Sequence, residues 1–237
     1  GYLEAETDCF HPELTYDNHA AAPPASPEQG YHLTTDLVDH AIAFIRDQTS
    51  VTPDKPFFMY LAFATAHAPH QAPAEYLGKY RSAYDRGWDA VRAERFERQK
   101  ALGIVPPGTT LAPRNAGVQA WDTLSDDERR LAARLQEAYA AMLEHTDTQF
   151  GRLVAFLEQV GRLDNTLLVF LSDNGASQEG GQKGSVNTTA IQNRVPEDFA
   201  ASLALIDEIG GPRGRAEYPG GRGQGAQNPL PRHTQNK

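Results

Sequence analysis

The stretch that most constrains this chain is Leu163 to Ser177, Leu-Asp-Asn-Thr-Leu-Leu-Val-Phe-Leu-Ser-Asp-Asn-Gly-Ala-Ser. Asp164-Asn165 is a turn signal. Thr166 to Leu171 is a nearly continuous apolar run of strand formers, the pattern of a strand buried on both faces in a parallel sheet. It stops at Ser172-Asp173-Asn174-Gly175. Two oxygen-bearing side chains therefore stand just past the carboxyl end of a buried strand, the edge at which open α/β sheets bind ligands. The Asp173 carboxylate and the Asn174 amide oxygen suit a hard divalent cation such as calcium or magnesium. The same tripeptide is also ordinary turn chemistry, and these residues alone leave both readings open.

A second stretch has the same form. Phe57 to Ala64 (Phe-Phe-Met-Tyr-Leu-Ala-Phe-Ala) reads as a buried strand and runs into Thr65-Ala66-His67-Ala68-Pro69-His70-Gln71-Ala72-Pro73. The two prolines exclude a continuing helix. His67 thus also sits at a strand end, as a catalytic group or as a hydrogen-bonded loop histidine. His70 is expected to face solvent. Upstream, Leu33, Leu37, Val38, Ala41, Ile42 and Ile45 mark a helix over 33–46, capped by Thr34 or Thr35. Downstream, Ser125-Asp126-Asp127-Glu128 is a capping box. It opens a long helix carrying Leu131, Leu135, Tyr139, Met142, Phe150, Leu153, Leu157 and Val160, with Gly161 placed to end it. A polar interruption over 144–148 reads as a kink or a solvated face. Helix and strand alternate twice, the signature of an α/β fold with both strand ends on one edge.

The rest of the chain frames these units. In residues 1–30, Asp8, Cys9 and His11 imitate a metal site, but the spacing matches no standard zinc pattern and surface loop residues are expected. Residues 74–120 read as an insertion of the kind that shapes specificity in α/β enzymes. Tyr76, Tyr80, Tyr84 and Trp88 form a stripe at spacing four, suited to helix packing or to a substrate entrance. Glu179 to Asn187 is a small, polar, Gly-rich loop that can approach a ligand closely or can be mobile. Residues 200–209 suggest a short helix, and no regular structure is expected from Gly210 onward.

Composition excludes several classes. Among 237 residues the net charge is −9 with no dense basic cluster, which argues against nucleic acid as the main partner. No apolar run approaches the ~18 residues of a membrane span. A single cysteine, Cys9, rules out an internal disulfide framework. Compartment and oligomeric state are left open.

Pro56 to Phe63 with His67 to Pro73, and Asp164-Asn165-Thr166 through Ser172-Asp173-Asn174-Gly175, resemble the middle of type I sulfatases. Glu179-Gly180-Gly181 with Gly184-Ser185-Val186-Asn187 is similar to the segment that follows in the bacterial arylsulfatase subgroup. The resemblance runs from about residue 1 to 195 and more faintly to 237. It implies the alkaline-phosphatase-like α/β fold, a sheet sandwiched by helices, here incomplete. It also implies hydrolysis of small-molecule sulfate esters by a formylglycine nucleophile beside one divalent cation, usually calcium, with magnesium as the alternative. By motif match, Asp173 and Asn174 would be metal ligands. His67 would bind the sulfate group or the leaving oxygen as hydrogen-bond donor and general acid.

The departures matter as much. The family's Cys/Ser-x-Pro-x-Arg nucleophile motif is absent, since Cys9 stands in Cys9-Phe10-His11-Pro12-Glu13. Its N-terminal pair of aspartate ligands has no counterpart. Thr234 occupies the place of the family's active-site lysine, which neither Lys183 nor Lys237 fills. The expectation is a partial catalytic domain over 1–195, an irregular tail over 196–237, and no turnover by this chain alone. Two other readings stay in view: a phosphodiesterase or phosphonate monoester hydrolase of the same superfamily, and a degenerate domain that binds a metal or an anion.

Overall fold

The computed structural model describes residues 8–172, 174–176, 180–196 and 198–226. Its spine is helix α4, Asp126–Gln159, 34 residues and so roughly 50 Å long at 1.5 Å per residue. The capping box forms as expected, with Ser125 accepting from the Glu128 amide and Glu128 accepting from the Ser125 amide. At the other end Gly161 adopts φ +66°, and the Arg162 amide reaches back to the Leu157 carbonyl at 2.8 Å. That αL closure explains why glycine stands there.

All four apolar clusters among the described residues include side chains of α4. Near its start Ala132 and Ala133 meet Trp88, Trp121 and Leu124. Next, Leu131, Leu135 and Ala138 meet Val186, Ile209, Ala216 and Tyr218. Ala141 and Met142 then pack with Cys9, Ala64, Ala72 and Tyr76. Finally Leu153, Phe156 and Leu157 meet Val38, Ala41 and Ile45 of helix α1, Leu33–Val51. The α1 stripe is the one its periodicity predicts, but neither threonine caps it. The His32 ring does, its Nδ1 accepting from the Thr34 amide at 3.2 Å.

The strands differ from expectation. Residues 57–63 and 166–171 carry no ladder hydrogen bonds among the described residues. The sheet seen there is a two-stranded antiparallel hairpin, β1 Leu14–Tyr16 with β2 His19–Ala21. Asp17 and Asn18 form its turn, both at positive φ, as a type I′ turn requires. Phe57, Met59, Leu61 and Phe63 pack inward on the α1–α4 cluster. Phe58 and Tyr60, on the alternate face, are 94% and 84% exposed. Leu167, Val169, Phe170 and Leu171 are exposed as well. In residues 57–63 the reason is one-sided burial, since only the alternate side chains pack on the α1–α4 cluster; in 166–171 both alternating sets of side chains are exposed, with Phe170 meeting Phe150 of α4 at 5.2 Å.

The 74–120 stripe is likewise not one helix. It divides between α2, Ala74–Lys79, and α3, Gly87–Ala101, with Ser82 at φ +62° in the break. Its role is packing at both ends. Tyr76 joins the Met142 cluster, and Trp88 meets Trp121 edge to face at 5.0 Å. Short helices α5, Thr188–Gln192, and α6, Phe199–Ala204, follow. Contrary to the irregular structure expected after Gly210, Gly220–Ala226 forms helix α7. Arg222 anchors it, its guanidinium over Trp121 at 4.9 Å and donating to the Tyr84 carbonyl at 2.9 Å. Stacking on rings offsets part of the cost of burying that charge. Among the described residues, no helix is long and apolar enough to cross a membrane.

Candidate functional site

The loop that carries His67 is built from both ends. The His67 amide donates to the Ala64 carbonyl at 2.8 Å, closing a turn directly after the extended run. Its Nδ1 lies 2.7 Å from the Ala68 carbonyl. A carbonyl accepts only, so Nδ1 carries a proton there. The ring is exposed. Three residues on, the backbone turns inward. His70 and Gln71 are 2% and 0% exposed.

A strap over 209–219 holds that inward part. The His70 amide donates to the Ala216 carbonyl at 2.9 Å, and the Ala72 amide to the Gly210 carbonyl at 3.0 Å. Gln71 ties three segments together. Its Nε2 donates to the Gly214 carbonyl at 2.9 Å, and its Oε1 accepts from the Cys9 amide at 2.9 Å. The strap is fixed in turn by Arg134 of α4, which donates to the Ile209 carbonyl at 2.7 Å. The Gly-rich loop seals it from outside through paired Ser185–Glu217 backbone bonds at 2.9 and 2.8 Å. Gly184 sits so close that a Cβ there would lie 2.4 Å from Leu135 Cδ1. Of the two roles open to this loop, its close approach is to the protein's own backbone.

His70 corrects the expectation that it faces solvent. Its ring stacks on Tyr218 at 4.9 Å and 2°, and meets Tyr139 edge-on at 5.3 Å. Burial pushes its pKa down to about 3, so it is neutral. Sequence reasoning missed it because its ring partners lie on α4 and on the strap, far away along the chain.

The second motif ends beside the same strap. Ala176 packs against the cluster that holds Ala216 and Tyr218, the ring on which His70 stacks. Asn174 is exposed, and its carbonyl accepts from Ser172 Oγ at 2.7 Å. Asp173 lies outside the described residues. Among the described residues no group of three or more His, Cys, Asp or Glu side chains is placed to hold one ion. One amide oxygen is far short of the six to eight that calcium takes, so the described residues do not by themselves fit a metal centre. Lys183 is engaged elsewhere, 3.0 Å from Glu128, and Lys237 lies outside the described residues.

The Asp8–Cys9–His11 imitation of a metal site is structural, and Asp8 and Cys9 are buried rather than on a surface loop. Asp8 Oδ1 accepts from the Phe10 and His11 amides at 2.8 Å each. Cys9 is fully buried, and burial with the Asp8 charge beside it pushes its thiol up to about 12. A thiol so held supplies no thiolate ligand.

The polar interruption of α4 is not a kink, and it is a solvated face only in part, at Asp147 and Thr148. The helix is continuous, and His145, Thr146 and Gln149 are buried. His145 Nε2 bonds Thr35 Oγ1 at 3.1 Å, and Thr146 Oγ1 bonds Thr65 Oγ1 at 2.6 Å. The His145 ring meets His32 edge-on at 4.5 Å. Burial pushes His32 down to about 3 and His145 to about 4. This patch fastens the start of α1 and Thr65, at the root of the His67 loop, to the spine.

Comparison with known proteins adds the remaining evidence. A sulfatase family model matches residues 6–202. An uncharacterized sulfatase of Schizosaccharomyces pombe is 45% identical over 121 residues, covering 51% of this chain and 22% of that protein. An arylsulfatase of Klebsiella aerogenes is 40% identical over 139 residues, covering 57% of this chain and 30% of the relative. A multifunctional alkaline phosphatase superfamily protein of Trinickia caryophylli is 24% identical over 173 residues, covering 69% and 31%. The chain thus spans less than a third of the length of each of these relatives.

Proposed function

Because the chain belongs to the sulfatase family, we propose that it contributes part of the active site of a sulfuric ester hydrolase acting on small-molecule, arylsulfate-like esters. One observation carries the reading. Two motifs in family order, His67 to Pro73 and Ser172 to Gly175, end beside the same strap-bearing core. In this reading the outward faces of residues 57–63 and 166–171 belong to a larger sheet completed by the rest of a sulfatase domain. Asp173 and Asn174 are two oxygen ligands of a divalent cation, calcium first and magnesium second, whose other ligands lie outside the described residues. When bound, the cation supplies positive charge against the ester oxygens.

His67 has the role that this chain's own residues support best. Sulfate ester cleavage builds negative charge on the leaving oxygen as the S–O bond breaks. An exposed imidazole on a tethered loop, with Nδ1–H already committed to a carbonyl, can in its imidazolium form donate Nε2–H to that oxygen or to a sulfate oxygen. No residue of the sequence matches the formylglycine motif, and the nucleophile is assigned to no residue of this chain.

The test uses a protein that carries this chain together with the remainder of a sulfatase domain. Hydrolysis of an aryl sulfate should exceed hydrolysis of a phosphate diester. His67→Ala should lower kcat/KM by roughly 10²–10⁴-fold, the usual worth of a positioned acid. Diester preference would move the assignment to the superfamily's phosphodiesterases. An unchanged His67→Ala would remove His67 from the site.

A further inference from the structure

The strap holds residues 70–72, but His67 lies before that anchorage. The turn it closes is fastened from the other side, by one turn of α4. Met142 shares an apolar cluster with Ala64, and Thr146, four residues on and so on the same helix face, bonds Thr65. The Ala64 carbonyl in turn accepts from the His67 amide at 2.8 Å. The hydroxyl pair has a fixed direction. Thr146 Oγ1 donates to the Met142 carbonyl at 3.0 Å, and a carbonyl only accepts. A hydroxyl has one proton, so Thr146 must accept the proton of Thr65 Oγ1 across their 2.6 Å contact. Thr146 is 4% exposed. Valine would fill that space without burying an oxygen. What the hydroxyl adds to packing is an acceptor for the residue two places before His67.

We propose that Thr146 is a positioning residue for His67. By holding the Thr65 hydroxyl it fixes the backbone at Ala64-Thr65, and so the place where the Ala64 carbonyl receives the His67 amide. With the strap holding 70–72, the loop is clamped on both sides of His67, and the ring stays placed although it is exposed. The consequence for anion binding rests on the reading of His67 given above. The clamping of the turn does not.

Amide hydrogen exchange of the 237-residue chain tests it, in the parent, Thr146→Val, Thr146→Ser, Thr65→Val and the double valine variant. Valine keeps the branched shape and loses the oxygen, while serine keeps the oxygen. The His67 amide should exchange at least about threefold faster in Thr146→Val and in Thr65→Val, the usual worth of one hydrogen bond. The Leu135 and Ala138 amides should not change. Serine should exchange as the parent does, and the double variant should be no faster than either single one, because each removes the same bond. A smaller change in Thr146→Val, serine exchanging as fast as valine, or additive effects in the double variant overturns the proposal. If Thr146→Val does not fold, Thr65→Val decides by the same threshold, since it removes the donor from the half-buried loop side and leaves α4 intact. A His67 amide with no protection in the parent overturns the proposal without any variant. Inorganic sulfate added to the parent should shift the His67 ring resonances, and about threefold more sulfate should be needed for the same shift in Thr146→Val. No shift in the parent counts against the anion reading of His67, while the exchange comparison still settles the role of Thr146.

Discussion

His32 and His145 face each other inside the fold as neutral rings, and that sets a pH dependence. Their folded pKa values, about 3 and about 4, lie below the 6.5 of an unfolded histidine. Below pH 6.5 the unfolded chain therefore binds protons that the folded chain refuses, and stability falls as pH falls. The contribution is complete above about pH 7 and drains away between about 6.5 and 4, at up to about 1.4 kcal/mol per histidine for each pH unit. Urea midpoints at pH 7.5 and 5.0 should show the loss, and His145→Gln should reduce it. Nothing in the sequence foretells this. The polar interruption in α4 is legible, but its partners Thr35, His32 and Thr65 come from two other segments, and only the fold brings them together. His70 and Gln71 were obscured for the same reason, whereas His67 was marked by its place at a strand end between apolar and proline-bounded runs.

Elements were legible wherever local chemistry decides them. Periodicity placed α1 and α4, the Ser125–Glu128 box opened α4, and Gly161 closed it. The hairpin at 14–21 was missed because three-residue strands carry too little alternation, although Asp17-Asn18 is the dipeptide its turn requires. The strand pattern of 57–63 and 166–171 reported composition correctly and burial incorrectly, since burial of a strand depends on neighbours that no local window contains. Within α4 the most consequential position is Leu135, fully buried between the strap and the Gly-rich loop. Leu135→Ala should cost about 2–5 kcal/mol. Chemical denaturation would register this as a lower midpoint with an unchanged slope.

For the whole molecule, two segments differ from the rest. Phe58, Tyr60, Leu167, Val169, Phe170 and Leu171 are exposed along two extended segments, with backbone edges of the kind that recruit further strands. The isolated chain should therefore bind a hydrophobic dye and self-associate as concentration rises. Phe58→Lys with Leu167→Lys should suppress both, which dye fluorescence and light scattering would follow. The opposite character belongs to α4. Every apolar cluster among the described residues leans on that one rod, so none has a wall of its own that survives when the rod frays. Heat should then find no weakest compartment to empty first. The chain should melt as one domino, its calorimetric and van't Hoff enthalpies agreeing, although its sequence reads as a string of separate pieces.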